Sequence, residues 1–292
     1  MIITGATIIT GVFGYPVRHS LSPVFQNAAF QYRHLNWVYV PFEISPEYLK
    51  DAVRAIKIFS VKGINVTIPH KKEVIKYLDV LDEEVKLLGV ANTIVNEDGC
   101  LKGYSTDGEG FLRSLKEDGG FTPENKLVFL FGSGGSSFAI AGALVRAGIS
   151  GLIICNRTIE KAAVLKNHLK DCFSFQNIEV IPFEKRDNAG IWKNIDLVVN
   201  TTSVGMKDDD IVLVDEKNLN DNMFIYDIVY NRETPLILSA KKKGVRCLDG
   251  LSMLVFQGAV SFTLWTKIEA PIEVMKKSLI AYKKTMQKGN QN

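Results

Sequence analysis

The chain has 292 residues, enough for two domains with a buried core each. Hydrophobic residues make up 46% and charged residues 23%, an ordinary globular balance that sets aside a disordered or fibrous chain. The formal net charge of +3 comes without a long run of lysine and arginine, which argues against a nucleic-acid-binding face.

Four widely spaced cysteines, Cys100, Cys155, Cys172 and Cys247, form no CxxC pair. A disulfide framework or a metal site is therefore not expected, and a reducing compartment fits. The first seventeen residues carry no charged side chain but lack a basic leader and are broken by Gly5, Gly11, Gly14 and Pro16. They predict a buried first strand rather than a signal peptide. The uncharged stretch 251–266 is too short, and too interrupted by Ser252, Gln257 and Ser261, to span a bilayer. A cytoplasmic protein is expected, with no membrane or nucleic-acid partner, as a monomer or homodimer.

In chain order, apolar runs at 7–13, 37–42, 61–67 and 91–96 predict strands, with helical patterns near 23–32, 46–58, 69–77 and 83–88. From residue 127 the rhythm tightens, and runs at 127–131, 152–155, 178–181, 197–200, 224–228 and 246–248 alternate with helices. The pattern predicts an α/β fold with mostly parallel sheets in two domains. An N-terminal α/β unit covers 1–106, and a Rossmann doubly wound unit covers 107–248. Lys241, Lys242 and Lys243 close a helix before Gly244, where cations complement the dipole. The last helix opens at Pro271, and Ile272, Met275, Leu279, Tyr282 and Met286 recur at three- and four-residue spacing. That stripe predicts that residues 249–292 pack back on the first domain.

Leu127-Val128-Phe129-Leu130-Phe131 runs into Gly132-Ser133-Gly134-Gly135-Ser136-Ser137 and then into an apolar helix. A strand, a glycine turn and a helix in that order suit a dinucleotide pyrophosphate, because glycine lets the backbone approach and the helix offers amides and a positive dipole end. Ser137 replaces the third glycine and is small enough to keep helix and strand close. The next strand ends Cys155-Asn156-Arg157-Thr158. An NAD-selective site places an acid near here for the ribose 2′-hydroxyl. Asn156, Arg157 and Thr158, with Lys161 one turn on, instead suit a 2′-phosphate, so NADP is the expected cofactor. The loop Asn200-Thr201-Thr202-Ser203-Val204-Gly205-Met206 follows a strand, where such folds line the ligand crevice.

Asn65-Val66-Thr67-Ile68-Pro69-His70-Lys71 ends a strand and predicts Pro69 at a helix start with Lys71 on its first turn. There the dipole disfavours a cation, so Lys71 needs a function. Thr106-Asp107-Gly108-Glu109 matches a capping box and starts a helix with Asp107. Ser20-Leu21-Ser22-Pro23 lies upstream, Ala91-Asn92-Thr93 between, and Gly250-Leu251-Ser252-Met253-Leu254-Val255-Phe256-Gln257 downstream. Ser22 also suits the N-cap of the helix that Pro23 opens.

In that order, and over nearly the whole chain, these segments resemble shikimate dehydrogenase. The resemblance implies NADPH-dependent reduction of 3-dehydroshikimate to shikimate in aromatic amino-acid biosynthesis, without a metal. It implies Lys71 as proton donor and Asp107 as its partner at the same substrate oxygen. Ser20 and Ser22 would take the carboxylate, and Asn65, Thr67, Asn92, Gln257 and Tyr230 the rest of the substrate. Gly132, Ser133, Gly134, Gly135, Ser136, Asn156, Arg157, Thr158 and Lys161 would hold the cofactor, with Thr201, Thr202, Ser203, Gly250 and Met253. Relatives often carry arginine where Lys161 and Phe138 stand. Those that prefer quinate tend to depart at position 22, so shikimate is favoured. The alternatives are a quinate/shikimate dehydrogenase of broader specificity and an NADP-binding regulator without chemistry.

Overall fold

A computed structural model of the chain describes residues 2–207 and 209–289. Its first elements are β1 (Ile8–Gly14), α1 (Ser22–Tyr32), β2 (Trp37–Glu43), α2 (Leu49–Ile58), β3 (Gly63–Val66), β4 (Val80–Leu81), α3 (Glu83–Leu88), β5 (Thr93–Glu97) and β6 (Cys100–Tyr104). The chain continues through α4 (Asp107–Glu117), β7 (Leu127–Phe131), α5 (Gly135–Arg146), β8 (Gly151–Asn156), α6 (Ile159–Phe173) and β9 (Ile178–Pro182). It then forms α7 (Ala189–Trp192), β10 (Leu197–Asn200), β11 (Phe224–Asp227), α8 (Pro235–Lys242), β12 (Arg246–Leu248), α9 (Leu251–Thr266) and α10 (Ile272–Gly289). Two compact units result, one made of Met1–Thr106 with Val255–Asn292 and the other of Asp107–Leu254.

The first unit is built on a mixed sheet in the order β2-β1-β3-β5-β6-β4. β1 runs parallel to β2 and β3, whereas β5 runs antiparallel to β3 and β6. β5 falls in the expected run 91–96, but β6, and with it the β5–β6 hairpin, was not among the expected elements. Its turn is Asp98-Gly99 with φ of 51° and 89°, a dipeptide that favours tight hairpins and was the available signal. One face of the sheet buries Leu49, Val53 and Ile56 of α2 against Ile64, Val66, Ile94 and Leu101. On the other side, Trp265 of α9 donates its Nε1 hydrogen to the Ile94 carbonyl at 3.0 Å. Glycine is required opposite it, because a Cβ at Gly63 would lie 2.0 Å from that nitrogen. Phe30 of α1 stacks on Phe262 of α9 at 5.3 Å, and α10 packs on α1 with Met275 and Leu279 buried. The C-terminal residues are thus part of this unit's core.

The second unit is an all-parallel sheet in the order β12-β11-β10-β7-β8-β9, the doubly wound arrangement. Its strands are apolar because both faces are covered. Phe129 and Trp192 stack at 4.4 Å within a cluster that includes Val198, Ile225 and Leu236.

One expected helix is absent. Residues 68–73 form turns, and only Val74–Tyr77 coils, as a 3-10 segment. Pro69, His70, Lys71, Lys72 and Glu73 offer no apolar stripe to bury, so nothing favours a helix before Val74. The dipole argument for Lys71 therefore does not apply. Ser22 likewise differs from expectation. It is the first residue inside α1, Leu21 holds the N-cap position, and no side chain caps that helix.

Candidate functional site

In the second unit, β7 ends at Phe131 and the chain turns at Gly132 with φ of +105°. A Cβ there would meet Thr201 Oγ1 at 2.7 Å and Thr202 Cγ2 at 3.0 Å, so only glycine fits under the neighbouring loop. Gly134 is exposed, with nothing near the position of an added Cβ. The first turn of α5 holds no acidic residue. With no acid to counter it, the positive dipole end of α5 suits an anion, which fits a pyrophosphate.

Ser137 does more than keep helix and strand close. It is fully buried, accepts from Gly134 N at 2.9 Å and shares a 2.7 Å hydrogen bond with Thr201 Oγ1. Thr201 in turn donates to the Phe131 carbonyl. The glycine loop and the 200–206 loop are thereby joined, and the Thr201 hydroxyl acts inside the protein. Ser133 is buried, whereas Gly135 and Ser136 are half-buried at the helix start.

At the end of β8, Asn156 is half-buried and its Nδ2 donates to the Thr158 carbonyl at 2.8 Å, shaping the turn. Arg157, Thr158 and Lys161 are exposed around it. Thr158 holds the N-cap position of α6, and its side chain makes no capping bond. No carboxylate stands at the strand end where a ribose diol would need one, and the two cations and the hydroxyl suit a phosphate monoester, although the exposed Glu160 shares the first turn of α6. Cys155, one residue earlier, is buried, and that burial pushes its thiol up to about 12.

The 200–206 loop hangs from a buried carboxylate that the sequence reading did not single out. Asp227 accepts from Asn200 Nδ2 at 2.9 Å, Val229 N at 3.0 Å and Thr234 Oγ1 at 2.7 Å. Burial pushes its carboxyl up to about 6 despite these donors. Asn200 then accepts from Thr202 N at 2.9 Å and Thr202 Oγ1 at 2.7 Å. Ser203 stands exposed beside them. Gly250 lies against the Ile228 backbone, Met253 is buried and Tyr230 is half-buried. Asp107, the first residue of α4, is 5% exposed.

In the first unit the structure brings together Asn65, Asn92 and Gln257. Asn92 Nδ2 donates to Gln257 Oε1 at 3.2 Å and to Thr106 Oγ1 at 2.9 Å, and Asn92 Oδ1 accepts from Thr106 N at 2.7 Å. Asn65 donates to Thr93 Oγ1 at 3.0 Å and Ser261 Oγ at 2.9 Å and accepts from Tyr39 OH at 2.9 Å. Tyr39, Thr93 and Ser261 were missed. Ser261 stands four residues after Gln257 in an apolar helix, on the same face. Ser20 is half-buried, and its Oγ accepts from Ser22 N at 3.3 Å. Thr67 and Lys71 are half-buried at the turn. That turn is held from both sides: Ala91 N donates to the Lys71 carbonyl at 2.9 Å, and buried His70 places Nε2 2.7 Å from the Ile44 carbonyl.

Comparison with known proteins places the chain in one family. The family described as the shikimate dehydrogenase substrate binding domain matches residues 12–94. That of the shikimate 5'-dehydrogenase C-terminal domain matches residues 250–280. A shikimate dehydrogenase (NADP(+)) of Geobacter metallireducens is 41% identical, covering 96% of this chain and 99% of its own. A shikimate dehydrogenase crystallised with NADP+ superposes with a TM-score of 0.89 at 37% identity, covering 96% of this chain and 97% of its own. A shikimate 5-dehydrogenase of Listeria monocytogenes in complex with shikimate and NAD gives a TM-score of 0.86 at 33% identity, covering 95% and 98%.

Proposed function

Because this chain belongs to the family of NADP-dependent shikimate dehydrogenases, we propose that it catalyses the reversible reduction of 3-dehydroshikimate to shikimate. The observation that carries this reading is 41% identity over 96% of the chain to an enzyme of that name. The buried amide network of the first unit supports it, because a small polyol acid needs several neutral polar groups around it. A cytoplasmic setting fits, and among the described residues no helix is long and apolar enough to cross a membrane.

NADPH, when bound, supplies the hydride. Gly132, Ser133, Gly134, Gly135 and Ser136 would hold its pyrophosphate at the α5 N-terminus. Arg157, Thr158 and Lys161 would hold the 2′-phosphate, and the loop of Thr202 and Ser203 would border the nicotinamide end.

Lys71 carries the proton. As an ammonium it donates a hydrogen bond to the substrate carbonyl oxygen and so polarises the carbonyl. It then releases the proton to the oxygen as the alkoxide forms. The clamp of its main chain by Ala91 and of His70 by Ile44 restricts where that ammonium can reach. Asp107 would share the same substrate oxygen, Ser20 and Ser22 the carboxylate, and Asn65, Thr67, Asn92, Gln257 and Tyr230 the ring.

The test is NADP+ reduction with shikimate, followed at the absorbance of NADPH, with NAD+ and quinate in parallel. Rapid NADP+-selective turnover of shikimate is expected. Equal use of quinate or NAD+ would move the protein to a broader quinate/shikimate specificity. NADP+ binding without turnover of either substrate would overturn the enzymatic reading.

A further inference from the structure

The direction of the Asn65 amide is decided by one neighbour. Thr93 Oγ1, Ser261 Oγ and Tyr39 OH can each donate or accept. The Asn92 backbone carbonyl can only accept, and it lies 3.2 Å from Asn65 Nδ2. A flipped amide would set two oxygens against each other. The same carbonyl also accepts from Val66 N at 2.8 Å, so the β3–β5 register holds it in place.

With the nitrogen fixed, both amide hydrogens are engaged, one by the Asn92 carbonyl and the other between Thr93 and Ser261. The two hydroxyls form a chain of their own, at 2.8 Å from each other, which Ser261 completes by donating to the Gln257 carbonyl at 3.1 Å. Tyr39 OH occupies one lone pair of Oδ1. The hydrogen-bonding capacity left to the Asn65 amide is the second lone pair of Oδ1, on a residue that keeps 7% exposure.

We infer that the Asn92 carbonyl orients the Asn65 amide and that Tyr39 and Ser261 are positioning residues that hold it there, so that Asn65 meets the substrate as a hydrogen-bond acceptor only and the site selects a ring hydroxyl acting as donor at that point. The inference rests on the shikimate reading and adds the polarity of one substrate contact. Ser261 acts from beyond the second unit, 196 residues away from Asn65. A group of similar size that cannot donate gains nothing there.

The experiment measures kcat and KM for shikimate and for analogues whose two non-reacting ring hydroxyls are replaced, in turn, by hydrogen or fluorine. At one position, kcat/KM is expected to fall roughly 10–100-fold for both replacements, because fluorine cannot donate. Tyr39→Phe should raise KM for shikimate about 5-fold with kcat nearly unchanged and narrow the discrimination at that position, and Ser261→Ala should act in the same direction. NADP+ affinity, a property of the other unit, should be unchanged in both variants. Recovery of affinity by fluorine at the sensitive position would overturn the inference. So would an equal loss for every analogue in both variants, which would mark them as merely structural. Absence of shikimate turnover in the wild-type protein would overturn the functional reading, and the inference with it.

Discussion

Lys71 sits on a turn, not a helix, and its place depends on main-chain bonds from Ala91 and on the His70 ring. Lys71→Ala should lower kcat by roughly 10²–10⁴-fold with a smaller change in KM, measured by steady-state NADP+ reduction. A near-normal kcat would remove it from the proton path. Asp227 makes a different prediction. Its carboxyl is ordinarily near 3.8 and is pushed up to about 6 in the folded protein. The folded state therefore holds the proton more tightly, and this contribution is complete below about pH 4 and is lost as pH rises through 6. The shift corresponds to on the order of 3 kcal/mol. Urea unfolding between pH 4 and 7 should show that decline, and Asp227→Asn should flatten it. The residues proposed to face a ligand could be picked out at this scale, because Arg157, Lys71 and the amides stand in recognisable strings. The bonding roles of Asp227, Ser137 and Tyr39 could not, because they act through hydrogen bonds to residues 2 to 64 positions away.

At the level of elements, strand positions followed from apolar runs, since a strand covered on both faces is continuously apolar. The second unit was most legible for that reason. In the first unit the sequence reading missed β6, which alternates through Cys100, Lys102 and Tyr104, and expected a helix at 69–77 that the structure does not form, because that stretch has no apolar face. Close approaches between elements were invisible in sequence. Gly132→Ala would force a Cβ against Thr201 Oγ1 in a left-handed conformation and should weaken NADP+ binding by at least 10-fold, read by fluorescence titration. Gly63→Ala would drive a methyl into the Trp265 ring and should destabilise the fold by about 1–3 kcal/mol or more in thermal denaturation. A lossless substitution at either position would contradict the packing.

Across the whole molecule, the four cysteines fall into classes that a thiol reagent can count. Cys100 and Cys172 are exposed, Cys247 is half-buried and Cys155 is buried. Two thiols should react quickly in the native protein, Cys247 slowly, and Cys155, with its thiol pushed up to about 12, only on unfolding. Rapid modification of all four would mean that β8, which holds Cys155, opens readily.

The first unit is assembled from the two ends of the chain, with Asp107–Leu254 between them. During synthesis its sheet emerges early, but Trp265, Phe262 and Ser261, which complete that sheet's packing and polar network, leave the ribosome only after residues 107–254 have been made. At roughly 5–20 residues per second, the intervening segment takes on the order of 10–30 s to make. Throughout that interval Phe30 and the Ile94 strand lack their partners, and the later-born unit completes its own parallel sheet only at the end of it, when β12 has been made. The nascent chain therefore carries an exposed, half-built core for many seconds, and its exposure to aggregation and to chaperones is set by translation speed across residues 107–254.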